Sequence, residues 1–218
     1  QEINQLRPPF LAAAMTLSLH PPFDVPYQSK WQNGGTEAHL FLHSAAFADY
    51  AIGEFFKTAE QQSWYDNTLF VLVADHGASH PGAAGMDDPR SRHIPLILFG
   101  KPIHKDWIGK KVDVFGNHHD IPATVLHTIT GKPVVDFPWS RDLWDLNVAV
   151  NAYRNDADQK LDFAYYTNEN GLGWLNRQGA GFYYFENKQW NWWRGQIDST
   201  GQKQAKAYLQ TLYEKKKK

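Results

Sequence analysis

Residues 68–74 read TLFVLVA, a continuous β-rich apolar run that stops on Asp75-His76-Gly77. A strand that is apolar on both faces has no side to show to water. It suits a central strand of a parallel sheet with helices covering each face. In open α/β sheets, ligands collect beyond the carboxyl ends of the strands, which is where Asp75 and His76 stand. A carboxylate and an imidazole are ordinary ligands for Zn²⁺ or Mn²⁺. Neighbours on a strand point to opposite faces, so both reach one ion only if the chain turns there, and Gly77 permits such a turn. Spacing alone admits a second reading, in which Asp75 caps the turn beside a hydrogen-bonded histidine.

Other segments support a layered α/β chain. The run FLAAAMTLSL, residues 10–19, predicts a second buried strand, although its alanines leave a helix open. His20-Pro21-Pro22 closes it, because neither proline can donate a backbone hydrogen bond. Residues 38–61 are helical: Phe47, Ala51 and Phe55 recur at i, i+4 and i+8, and Ile52 and Phe56 widen the stripe. Thr36, just ahead, is a loop or N-cap residue. The fifteen residues 78–92 form a loop with Pro81, Gly82, Gly85 and Pro89, a length usually reserved for functional or mobile segments. Residues 94–99 predict a further buried strand and 112–115 a short one. Asp120 then caps a helix to Thr130, with Pro122 in its first turn and Gly131 as its stop. His93 precedes a strand, so a substrate-facing role and a structural one are both open. His118 and His119 precede a helix, and His39 and His43 read as a solvated helix face.

Beyond Gly131 the character changes. Residues 163–174 and 181–193 are aromatic and strand-like, with Gly and Asn turns, which predicts a small antiparallel element. Ala205, Tyr208, Leu209 and Leu212 mark one amphipathic terminal helix. Trp190, Trp192 and Trp193 either pack aromatic faces against the main domain or form a platform for sugars or lipid headgroups. The expected organisation is one α/β part over residues 1–135 and a small subdomain over 136–218 packed on it. With 22 basic and 23 acidic residues the chain has no field for nucleic acid. The absence of cysteine excludes disulfides, thiolate metal sites and a cysteine nucleophile. No apolar run approaches the ~20 residues of a membrane span, and the first residues do not form a signal peptide, so an anchor or export signal is expected outside these residues.

Four segments, in order, resemble one known family. WYDNTLFVLVADHG (residues 64–77) is similar to the sulfatase branch of the alkaline phosphatase superfamily, especially the lipoteichoic acid synthase and phosphoglycerol transferase group. TLSLHPPF (16–23) resembles that family's strand ending in a histidine before proline, and FADYAIGEFF (47–56) its helix before the metal strand. HIPLILFG (93–100) with HDIPATVLHTITG (119–131) resembles the strand and helix that follow. The fold this implies is α/β and alkaline-phosphatase-like: a mostly parallel sheet flanked by helices, with a small C-terminal antiparallel aromatic element and a terminal helix.

The resemblance implies that Asp75 and His76 are two protein ligands of a divalent cation, Mn²⁺ by preference, with Mg²⁺, Ca²⁺ or Zn²⁺ as alternatives. His20 matches the histidine that contacts the phosphate or sulfate or assists the leaving oxygen. His80 lies where relatives place a second substrate histidine, and His93 is a third candidate by position. In this group the ion also binds an acidic residue and a threonine nucleophile from an N-terminal half of the domain. That half and any Cys/Ser-x-Pro-x-Arg motif are absent from these residues. Thr36 follows the His20 segment, whereas the family's nucleophile precedes it. The chain is therefore expected to be a fragment, inactive alone, whose partner is the missing N-terminal half of the same protein. The expected parent reaction moves a phosphoglycerol-like phosphate ester, lipid- or glycan-linked. Sulfate-ester hydrolysis is the runner-up and a non-catalytic glycan-binding module the third reading. The expected place is the extracytoplasmic side of a membrane-anchored protein in the cell envelope.

Overall fold

Thr36 starts a 23-residue helix, α1 (Glu37–Ala59), and its Oγ1 accepts the His39 N–H at 3.3 Å. This computed structural model describes residues 2–31, 34–78, 85–134, 137, 139–146 and 162–215. The chain divides into two units, Gln1–Thr68 with Ala78–Ala83, and Leu69–Gly77 with Ala84–Lys218. Within the first unit, α1 buries His43, Ser44, Ala48 and Ala59. The buried side is thus rotated from the Phe47/Ala51/Phe55 stripe, and Phe55 is 42% exposed. His43 does not lie on a solvated face: its Nδ1 is 2.8 Å from Ser29 Oγ, and its ring stacks on Tyr27. Tyr27 also packs on Phe47 and Tyr50, and Phe23 on Phe41.

Residues 10–19 do not form the expected buried strand. They carry no regular secondary structure and end in a turn, and Leu11 is 94% exposed and Met15 78% exposed. Apolar composition gives a run the capacity to be buried, but a strand also needs a hydrogen-bonding neighbour. The described residues of this unit contain no other strand to pair with. The run is fastened at its ends instead, by Phe10 against Trp64 and by the Ser44 hydroxyl donating to the Ser18 carbonyl.

In the second unit, β1 (Phe70–Val73) and β2 (Leu96–Phe99) pair antiparallel, Phe70 opposite Phe99 and Val73 opposite Leu96. Within the described residues this corrects the parallel sheet expected from the apolar run. Parallel neighbours need a crossover, usually a helix, and the described part of the connection holds only a 3-10 turn, Pro89–Arg92. Nor are the strands buried as expected: Val71, Val73 and Ile97 are exposed, because an apolar run reports the capacity for burial and not the layers that cover it. Phe70 and Phe99 stack with centroids 4.9 Å apart, an aromatic cross-strand pair that pins this register.

The segment 112–115 is not a strand either. Its Phe115 N–H goes to Asp162 Oδ1 (2.6 Å) and Asp113 binds Arg177 (2.9 Å), so side chains replace a ladder. Helix α2 (Ile121–Thr130) ends as expected at Gly131, whose left-handed φ of 67° lets its N–H reach the His127 carbonyl. Its start differs from expectation. The Asp120 side chain does not cap α2: Oδ2 accepts the Asn117 N–H (2.7 Å), and the rest of the carboxylate faces Arg141. Arg141 donates its backbone N–H (2.9 Å) and Nε (3.0 Å) to Oδ1 and Nη2 to Oδ2, while Nη1 reaches the Phe163 carbonyl at 2.8 Å. Both side chains are essentially without solvent access.

Phe163 opens the antiparallel element. Strands β3 (Phe163–Asn168), β4 (Gly171–Asn176), β5 (Gly179–Tyr184) and β6 (Trp190–Gly195) pair in sequence order. One face carries Phe163, Leu172 and Trp174, with Trp190 and Trp192 beside them, and packs on Ala205 and Tyr208 of α3 (Ser199–Lys215) and on Ile197. Trp190 and Trp192 stack on one another at 4.8 Å and are half-buried, so they belong to this packed face. No helix among the described residues is long and apolar enough to cross a membrane.

Candidate metal-binding site

Beyond Val73 the chain bends, and the bend is held at both ends. The Ala74 carbonyl lies 2.8 Å from His118 Nε2, in the turn that precedes α2. Gly77 passes against Ser91 so closely that an added Cβ would sit 2.0 Å from the Ser91 carbonyl oxygen. Glycine is therefore required here by a close approach of two backbones; its φ is not left-handed. Gly77→Ala is expected to displace either His76 or Ser91 and to weaken Mn²⁺ binding at least tenfold. Calorimetric titration of the full-length variant with Mn²⁺ checks this, and unchanged affinity would count against a fixed corner.

Between these two holds, Asp75 and His76 project into solvent, their side chains 66% and 71% exposed. Asp75 Oδ1 accepts the His76 N–H at 2.9 Å, leaving Oδ2 free to face outward. His76 Nδ1 lies 2.8 Å from the Gly77 carbonyl. With Nδ1 donating to that carbonyl, the Nε2 lone pair is available to a cation, the arrangement in which a backbone acceptor orients a ligating histidine. Asp75 Oδ2 and His76 Nε2 are 3.6 Å apart. Two donors sharing one small cation sit about 3–3.5 Å from each other, so a slight closure would bring both onto one ion. The pair therefore fits two positions of a divalent-cation site. No group of three or more potential ligands comes together among the described residues.

The other expected site residues are placed as follows. His20 lies in the first unit, exposed, with Nδ1 3.0 Å from the Pro21 carbonyl. His93 is exposed at the end of the Pro89–Arg92 turn, ahead of β2. His80 lies outside the described residues. His119 is drawn inward, 3.3 Å from the Tyr208 hydroxyl, and burial holds its imidazole below the usual histidine range. Sequence reasoning missed the bracing role of His118. A histidine before a helix carries no local mark of a partner 44 residues earlier.

The sulfatase family model matches residues 1–131. The chain belongs to the sulfatase family. The chain is 26% identical over 146 residues to lipoteichoic acid synthase 1 of Bacillus subtilis (strain 168), covering 58% of the chain and 22% of the synthase. A crystal structure of a protein in the alkaline phosphatase superfamily, from Vibrio parahaemolyticus, covers 94% of the chain with a TM-score of 0.66 and 26% identity. The chain spans 48% of that protein's length. The fold is thus the α/β architecture of the alkaline phosphatase superfamily, with its described strands paired antiparallel.

Proposed function

We propose that this chain supplies two metal ligands and part of the substrate-facing surface of an enzyme that transfers or hydrolyses a phosphate ester, of the phosphoglycerol transferase kind. The observation that carries this reading is the Asp75–His76 corner: two outward donors 3.6 Å apart, with His76 held in the tautomer that leaves Nε2 free. Asp75 would hold the cation through Oδ2 and His76 through Nε2. A bound divalent ion, Mn²⁺ by preference, lowers the pKa of a nucleophilic hydroxyl and neutralises charge on the transferring group. The threonine nucleophile and a further acidic ligand would come from outside these residues. His20, His80 and His93 are the proposed contacts to the ester oxygens. The similarity to a lipoteichoic acid synthase supports a lipid- or glycan-linked substrate at the extracytoplasmic face of the cell envelope.

Hydrolysis of a sulfate ester is the second reading, favoured by the sulfatase match itself. One assay separates them. The full-length protein is given a chromogenic phosphodiester and an aryl sulfate, each with Mn²⁺ and again after chelation. Phosphodiester turnover that falls to background on chelation is the expected result. Turnover of the sulfate alone selects the second reading, and turnover indifferent to the chelator sinks both.

A further inference from the structure

The turn that follows the metal corner is fastened by a distant part of the chain. Asp87 accepts Asn168 Nδ2 on Oδ1 at 2.8 Å and the Tyr184 hydroxyl on Oδ2 at 3.0 Å. Its backbone carbonyl accepts the Tyr166 hydroxyl. These three donors stand on β3 and β5, on the face of the sheet turned away from Trp174 and α3. The Arg92 guanidinium lies over the Tyr166 ring at 5.4 Å and donates to the Met86 carbonyl at 3.0 Å. Burial pushes the Tyr166 phenol well above its usual range, so it remains a donor.

The same turn is closed on itself. The Ser91 hydroxyl bridges the Asp88 (2.7 Å) and Gly85 (3.1 Å) carbonyls, and Asp88 takes the Arg90 N–H at 2.8 Å. Its rigidity is passed on through the contact of the Ser91 carbonyl with Gly77, which leaves no room for a side chain. Gly77 in turn offers the carbonyl that orients His76.

We infer that Asp87 is a positioning residue for the Asp75–His76 corner: the back of the aromatic sheet holds Asp87, Asp87 holds the 85–92 turn, and Ser91 sets where Gly77 and the His76 ring lie. The inference rests on the reading of Asp75 and His76 as metal ligands. It gives the aromatic sheet a part in the chemistry that packing alone does not. Metal ligands must be held within about 0.5 Å to bind productively, and this chain of contacts supplies that hold on the His76 side as His118 does on the other.

The test is a titration of the full-length protein with Mn²⁺ alone. Asp87→Ala removes both acceptor oxygens and leaves Asn168 Nδ2 and the Tyr184 hydroxyl without their partner. Asn168→Asp sets two carboxylates together. Each single variant is expected to bind Mn²⁺ about tenfold more weakly, in the range of outer-shell partners of metal ligands. The exchange D87N/N168D restores a carboxylate–amide pair and is expected to return affinity to within about twofold of the parent. Tyr184→Phe, which removes one half-buried donor, gives a milder loss and serves if the others fold poorly. Parental affinity in both single variants overturns the inference, as does an exchange variant no tighter than the single ones. Asp75→Ala run alongside keeps the two readings apart: if it too binds Mn²⁺ normally, the metal site falls and the positioning role with it.

Discussion

Asp75→Ala is expected to abolish Mn²⁺ binding by the full-length protein and to lower its phosphodiester turnover about a thousandfold. The estimate follows from what a bound cation contributes: several kcal/mol of charge stabilisation in the transition state, of which ~4 kcal/mol corresponds to three decades in rate. Stability should hardly move, because the Asp75 side chain is 66% exposed and its one inward bond is to the neighbouring His76 N–H. Surface changes of this kind alter folding by about 0.5 kcal/mol or less. The measurement pairs a Mn²⁺ titration with initial rates and a melting curve. Full turnover with an intact melting temperature would remove Asp75 from the site. A drop in turnover that merely follows a drop in melting temperature would make its role structural.

Arg141→Met should have the opposite profile, a large loss of stability. Arg141 and Asp120 are buried at 1% and 0% exposure, and Arg141 carries three of the bonds to the Asp120 carboxylate. The backbone N–H survives the substitution, but the guanidinium charge does not. Breaking a buried pair by removing one partner costs about 3–5 kcal/mol, a large share of a typical domain's 5–15. The double variant D120N/R141M should recover part of the loss. A neutral amide costs less to bury, and its oxygen can still accept the Asn117 N–H. Urea unfolding of the parent and both variants checks this. A single variant within about 1 kcal/mol of the parent would mean that water reaches Asp120.

The contrast between these two sites explains what could be read from sequence. Asp75 and His76 are adjacent and follow a seven-residue apolar run, so their place at a strand end is written locally. The end of α2 was equally legible, because Gly131 marks it with a backbone conformation that other residues avoid. The aromatic hairpins showed through turn residues at regular intervals. Asp120 was misread because an aspartate before a helix looks the same whether it caps that helix or faces an arginine 21 residues on. Residues 10–19 were misread because composition reports the capacity for burial, whereas a neighbouring strand decides it. The antiparallel pairing of β1 and β2 left no mark in either strand. Asp87 offered nothing at all, since its partner Tyr184 is 97 residues away in the chain.

The buried Asp120–Arg141 pair also separates ancestry from mechanical integrity. The recognisable sulfatase segment ends at residue 131, yet the counter-charge of Asp120 sits ten residues past that border and is itself tied to the Phe163 carbonyl. A protein cut at the inherited border would retain the Asp75-His76-Gly77 corner and all of α2. It would lose Arg141, and with it three of the bonds that hold the Asp120 carboxylate in place. The heritable module and the piece that holds together are two different lengths of chain, and excision by family likeness would select the wrong one.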